Sequence, residues 1–236
     1  MHPDARAILD QLAVVDRERE RRAADPPLAT AVLRIKSFQR DRFAHTYADL
    51  LASPRYAAAA RFFLEELYGP QDFSQRDAQF ARVVPALVRL FPPEIVATVA
   101  TLARLHALSE TLDSAMGAAS LGVNIDRQVY IRAWQATGRP QEREQQIALT
   151  VEVGRALDRL TRKALVRHSL HLMRGPARAA GLGALQQFLE SGFDTFRAMG
   201  GADHFLDRVG QRERELATAL FAPDAAIAPA ALGQLP

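Results

Sequence analysis

EIVATVATLARLHALSETLDSAMGA, Glu94–Ala118, decides the fold class. The stretch follows Pro92-Pro93, opens on a glutamate suited to the positive end of a helix, and contains no proline. An α-helix turns about 100° per residue. On that wheel Ile95, Val99, Leu102 and Met116 mark one apolar face. The spacing therefore predicts a helix over the whole stretch.

The same punctuation recurs on both sides. Asp4 to Arg22 has helical propensity but apolar positions only at Ile8, Leu12 and Val15, so residues 1–24 read as a peripheral helix. AADPP breaks the chain, and a helix from about Leu28 to Leu51 follows, led by Ala31, Ile35 and Phe38. Pro54 can open the next helix, with Phe62, Phe63 and Leu67 facing inward and Tyr68-Gly69-Pro70 as its stop. Ser74 with Asp77 resembles a capping box, with Phe73 as its apolar staple. Phe80, Val83, Val84, Leu87 and Phe91 continue that helix, which Pro85 should kink.

Downstream, Asn124 is a candidate cap for a helix ending near Thr137. Gly138-Arg139-Pro140 then turns into the longest predicted helix, about 141–174, which Gly175-Pro176 closes. Another helix carries Leu182, Leu185, Phe188, Leu189, Phe193, Phe196 and Met199, and Asp203 is a candidate cap for a last one ending near Phe221. Residues 222–236, rich in alanine and proline, read as a disordered tail. No stretch alternates in the manner of a strand. The expectation is an all-α protein: one domain over residues 1–221, a compact bundle of about seven to eight amphipathic helices around the long one.

Composition narrows the function classes. Of the 236 residues 48% are hydrophobic and 24% charged, ordinary for a globular chain. No cysteine is present, which excludes disulfides, thiolate metal sites and thiol catalysis. The opening MHPDARAILDQLAVVDRERE lacks the basic region and apolar core of a signal peptide, and no apolar run approaches the ~18 residues of a membrane span. A cytoplasmic, non-membrane protein is expected. The pI near 9.7 accompanies a net charge of only +3 and mostly reflects arginine.

FFLEELYGPQDFSQRD, Phe62–Asp77, and LQQFLESGFDTF, Leu185–Phe196, together resemble a family of uncharacterised bacterial all-helical proteins, a domain of unknown function. The resemblance implies the helical fold over most of the chain and brings no activity with it.

Polar residues on apolar faces supply the candidate sites. His106, Ser109 and Asp113 fall inside the apolar arc of the Glu94 helix, with Glu110 at its edge. On the long helix the stripe Val153, Leu157, Leu160, Ala164 runs on through His168 and His171. A His–Glu pair at i, i+4 and a His–His pair at i, i+3 have chelating spacing, so His106, Glu110, His168 and His171 could enclose a divalent metal or haem. The bland alternative is hydrogen-bonded core or rim histidines, and it is favoured because neither the Glu-x-x-His pairs of di-iron bundles nor His-Glu-x-x-His occurs.

Extending the Ala31–Phe38 face brings in Arg42, Thr46 and Asp49, and with Asp113 these could line a polar pocket for an anionic or heterocyclic ligand. The favoured alternative lets the stripe drift to Phe43, Tyr47 and Leu50, leaving Arg42 and Asp49 in ion pairs with other helices. Glu65, Glu66, Asp72 and Asp77 form an acidic cluster for which helix pairing and capping are ready explanations.

Arg155, Arg159, Arg162 and Lys163 lie on the outer face of the long helix, and the interval from Arg132 to Arg178 holds ten basic residues against four acidic ones. Such a face could follow a phosphate backbone, but Glu152 and Asp158 interrupt it and no reading motif accompanies it. The glycine cluster GPARAAGLG fits neither nucleotide fingerprint, and no G-x-S-x-G elbow occurs. The reading is a non-enzymatic helical protein binding a protein partner or small ligand, without a cofactor. Metal or haem binding through the histidines and weak anion or nucleic-acid binding are its alternatives.

Overall fold

A computed structural model describes residues 1–67, 70–225 and 233–236. Among them every regular element is helical. Eleven α-helices occur: α1 Pro3–Ala23, α2 Pro26–Thr46, α3 Ala48–Ala52, α4 Ala57–Phe62, α5 Ser74–Leu90, α6 Pro93–Ala118, α7 Arg127–Thr137, α8 Pro140–Thr161, α9 Ala164–Ala179, α10 Gly183–Ala198 and α11 Asp203–Phe221. The expected count of seven to eight is exceeded: nine helical stretches are delimited by the sequence, and two of them are divided.

The first division is at Tyr47, which separates α2 from α3. Its side chain is fully buried, its hydroxyl donates to Glu213, and Arg212 of α11 donates to the carbonyl of Thr46 beside it. Arg212 thus takes the Thr46 carbonyl at the break, while Tyr47 keeps its own i, i+4 backbone bonds to Phe43 and from Leu51. The second division splits the predicted helix 141–174 at Arg162-Lys163. Thr161 Oγ1 donates to the Asp158 carbonyl, a local bond that competes with helix continuation, and Lys163 is extended. Asp158 itself is turned inward, where its carboxylate accepts the Ala202 N–H and the Arg162 guanidinium. It holds the approach to α11 in place of Asp203, which lies within the first turn.

Other boundaries moved for similar reasons. Asp126, not Asn124, caps α7 by accepting the Val129 N–H. Asp72 accepts the Ser74 N–H, so Ser74 and Asp77 form no capping box. Gly175 and Pro176 do not stop α9, which runs to Ala179. Leu172 and Pro176 are both exposed, so water can take the bond that proline cannot donate. Gly138 does end α7, in the left-handed conformation glycine accepts readily. The stop at Tyr68-Gly69 lies outside the described residues.

α6 is the central helix and packs against α1, α2 and α8. Its buried residues therefore lie all round rather than along one face: Val96, Ala103, Ala107, Leu112 and Met116 are buried, while Ile95, Val99 and Leu102 are half-buried. Gly117 permits the close crossing of α2, since a Cβ there would sit 3.1 Å from the Val32 amide nitrogen. α1 is no peripheral appendage, because Ala5, Ile8 and Leu12 pack with Val84 and Val96 in a core cluster of α1, α5 and α6.

A second cluster joins Phe43, Tyr47, Phe63, Phe196, Phe205 and Leu206 around α2, α4, α10 and α11. The turn after α4, Phe63–Leu67, is π-helical. Phe62 stacks on Phe188 while the adjacent Phe63 faces Phe43 and Phe196, so neighbouring side chains reach different parts of the core. The third cluster gathers Ile35, Met116, Tyr130, Ile131, Trp134, Leu216 and Leu220, and it contains Leu235. Where the sequence reads as a disordered tail, Leu235 is fully buried, Thr46 donates to the Gln234 carbonyl, and Arg127 donates to the carbonyl of Leu235. The buried Leu235 side chain and the bonds from Thr46 and Arg127 hold residues 233–236 against the core.

Candidate functional site

The candidate residues fall along a line of buried charge on α6, between α2–α3 and α11, on the outer face of α8, and on α9. Along α6, His106, Glu110 and Asp113 project at i, i+4 and i+7, one side of the helix. That side meets α1, α2 and the start of α5, and each polar group finds a partner there. Asp77 of α5 accepts from Arg19 of α1 at 2.5 Å and pairs with His106 Nε2 at 2.8 Å. Burial pushes the Asp77 carboxyl up, but His106 and Arg19 more than reverse this and hold it below its ordinary value.

Four residues further on, Glu110 accepts from Lys36 at 2.5 Å and from Arg22 at 2.6 Å. Arg22 also donates to Ser114. Burial again acts upward on the Glu110 carboxyl, and Lys36, supported by Arg22, overcomes it and brings the group to about 2. Asp113 differs. It accepts from Gln39 at 3.0 Å, but Lys36 stands 3.8 Å away, so desolvation dominates and its pKa is raised. One cation-rich lane thus holds an ionised glutamate beside an aspartate driven toward its neutral form.

The structure does not bring the four proposed metal ligands together. His106 engages Asp77 and Glu110 engages Arg22 and Lys36. His168 is exposed on α9, and His171, half-buried, bonds the Arg167 carbonyl of its own helix. Among the described residues no group of three or more His, Cys, Asp or Glu is placed to hold a metal ion.

Arg42, Asp49 and Asp113 do not form a common pocket either. Arg42 is buried in an ion pair with Glu213, which also accepts from the Tyr47 hydroxyl at 2.7 Å. Asp49 lies nearer the surface, where hydrogen bonds from Arg212, then its charge and Arg208, bring the carboxyl to about 2. Both residues are paired to α11, and Phe43, Tyr47 and Leu50 are buried beside them. The cleft next to Glu213, lined by Gln146, Ile147, Thr150, Val151 and Val209, has a volume of about 20 Å³, enough for a water and not for a heterocycle. The acidic cluster disperses: Asp72 accepts the Ser74 N–H, Asp77 pairs with His106 of α6, and Glu66 pairs with Arg76.

Each cation of the predicted basic face has a carboxylate partner. Arg155 pairs with Asp207, Arg159 and Lys163 with Glu94, and Arg162 with Asp158. Beyond Lys163 the pattern changes. From Arg159 to Leu189 the sequence has six basic residues and no carboxylate. α9 lies within that interval. Val166, Leu170, Met173 and Ala177, at i, i+4, i+7 and i+11, make its apolar arc, which Leu172 widens.

None of the described side chains of α9 belongs to any of the three core clusters. The helix leans on α10, where Gln186 donates to the Leu170 carbonyl and Arg174 pairs with Glu190 at 2.6 Å. Yet Leu172 is 64% exposed, Met173 48% and, on α10, Leu189 42%. Sequence periodicity placed the histidines on this helix but gave no sign that its apolar arc lacks a full cover. The carboxylate-free interval was the available signal.

The chain belongs to the family described as Domain of unknown function (DUF8198), whose model matches residues 18–227. No curated protein and no solved structure gives a significant match.

Proposed function

For a member of that family, whose description assigns no activity, we propose that the chain is a docking module that binds a partner protein through α9 and the adjoining part of α10. One observation carries the reading. α9 is amphipathic, but none of its described side chains belongs to a core cluster, and Leu172 and Met173 are at its surface. Large apolar side chains left exposed on one helix favour a protein partner over solvent. A small-ligand role draws less support, because the polar residues that could have lined a pocket are spent on ion pairs between helices.

Photo-cross-linking tests the proposal in the native cell. A photoreactive residue replaces Leu172, or, as a control on another face, Leu33, which is also half exposed. A discrete adduct from position 172, reduced several-fold by Met173→Asp and absent from position 33, is the expected result. No adduct at 172, or equal adducts at both positions, overturns it.

A further inference from the structure

We infer that the place held by residues 233–236 is a recognition site for a short, non-helical, leucine-bearing segment of another protein, which the chain's own segment occupies and can vacate. The site is separate from α9 and does not depend on the docking role proposed for it.

The resident segment shows what the site reads. Leu235 is fully buried and clusters with Ile35 of α2, Met116 of α6, and Tyr130, Ile131 and Trp134 of α7. Gly233 and Pro236 on either side are exposed. The polar contacts come from the last residue of α2 and the first of α7. Thr46 Oγ1 donates to the Gln234 carbonyl at 2.9 Å. The Arg127 guanidinium donates to the Leu235 carbonyl at 3.1 Å and to the main-chain oxygen of Pro236 at 3.1 and 3.2 Å. Each of these acceptors is a main-chain oxygen, which any segment offers. The hydrogen bonds therefore give affinity without regard to sequence, and the pocket for the leucine gives the selectivity.

The chain's own segment fills the site imperfectly. Gln234 Oε1 is buried and accepts no hydrogen bond from a described residue. In the same cluster Trp134 Nε1 is buried and donates to none. A buried polar group without a partner carries its desolvation cost uncompensated. Residues 233–236 also form no helix whose ladder would hold them once the leucine leaves. A segment docked by one leucine against such costs opens locally while the helices stay folded. An outside segment that keeps the leucine, but precedes it with a side chain lacking the orphaned oxygen, should bind better.

Trp134 is the only tryptophan of the chain and is 8% exposed, so its emission reports on the site. In the unsubstituted chain, acrylamide quenching of Trp134 should rise at urea concentrations below those that melt the helices. In the full chain carrying Leu235→Asp, or Leu235→Gly where the new charge itself disturbs the fold, emission should shift to the red with helix content by circular dichroism unchanged. The probe is amidated ALGQLP, the sequence of residues 231–236. A tethered segment has an effective concentration on the order of millimolar, so the peptide is titrated over ~0.1–10 mM. ALGQLP should restore the emission, ALGMLP should do so at several-fold lower concentration, and ALGQDP should not. Adding Arg127→Ala should raise the concentration required several-fold.

Loss of helix content in both Leu235 variants overturns the inference, because the segment is then part of the core and not its occupant. So does Trp134 quenching that rises only as the helices melt. Unchanged emission in the variants, no response to ALGQLP, an equal response to ALGQDP, or ALGMLP binding no better than ALGQLP has the same force. Self-association of the full chain that Leu235→Asp abolishes would place a second copy's segment in the site and overturn the reading of an outside partner.

Discussion

Replacing Glu110 with glutamine should remove more stability than any other isosteric change on α6, because it strips the one ionised group that both Lys36 and Arg22 contact directly. The carboxylate lies 2.5 Å from Lys36 Nζ and 2.6 Å from Arg22, and its side chain is 8% exposed. Breaking one partner of a buried ion pair costs ~3–5 kcal/mol. Here the lower end applies, since the Lys36 and Arg22 side chains keep 19% and 12% of their exposure and solvent can take up part of the orphaned charge. Proton linkage gives a similar figure. A drop from 4.5 to about 2, at ~1.36 kcal/mol per pH unit, corresponds to about 3 kcal/mol.

Because the folded carboxyl is the more acidic one, this stability is fully present above pH 4.5 and is lost as the pH falls toward 2. Asp113 acts with the opposite sign: burial raises its carboxyl, so its ionisation weakens the fold as the pH rises. Glu110 contributes to that rise, and its removal relieves part of the penalty. The net expectation is a loss of ~2–3 kcal/mol at pH 7. Urea denaturation of both proteins at pH 7, 5 and 3 measures it, with the gap falling to less than half by pH 3. Adding Lys36→Met should recover part of the loss, since no cation is then left facing Arg22. A gap under about 1 kcal/mol at pH 7, or one unchanged at pH 3, would refute the assignment of Glu110 as the ionised centre of the lane.

Four further outcomes are expected. Leu235→Ala should cost ~2–4 kcal/mol in thermal or chemical denaturation, because a fully buried leucine leaves a cavity; an unchanged melting temperature would mean the end of the chain does not dock. Gly117→Ala should cost ~1–3 kcal/mol, since the new Cβ meets the Val32 backbone as well as its side chain. Tyr47→Phe should cost about 1 kcal/mol by leaving Glu213 with one donor fewer, with little change in fold by circular dichroism. His106→Gln should cost ~1–2 kcal/mol, because Arg19 still holds Asp77 when the imidazole is gone.

The helices were legible at several ends that carried strong chemistry, although Gly175-Pro176 falls inside α9. Pro92-Pro93 before α6 and Gly138-Arg139-Pro140 between α7 and α8 are backbone constraints that no tertiary context removes. The divisions at Tyr47 and Arg162-Lys163 were not legible, because local sequence there supports a helix and the interruption comes from partners elsewhere in the chain, Arg212 and Ala202. The same limit governed the charges. Periodicity placed His106, Glu110 and Asp113 on one side of α6, but whether they meet a metal or cations depends on Arg19, Arg22 and Lys36, which arrive on α1 and α2. Arg19 and Arg22 belong to the DRERERR run, which reads as a solvated surface only if α1 is peripheral.

α9 is the converse case. Its sequence repeats apolar positions at helical spacing, as a core-facing helix would, and such a pattern reports that a cover is needed without reporting what supplies it. In α1 the cover is α6, and Ile8, Leu12 and Val15 are buried. In α9, α10 supplies part of it, through Gln186 and Glu190, while Leu172 and Met173 stay at the surface. Two helices with similar stripes thus differ in what completes them. Fully exposing a leucine side chain forgoes ~1.5–3 kcal/mol of burial. A chain that buries Leu235 in a core cluster, yet leaves Leu172 and Met173 open, concentrates its unmet burial on α9, where a partner protein would supply the missing cover.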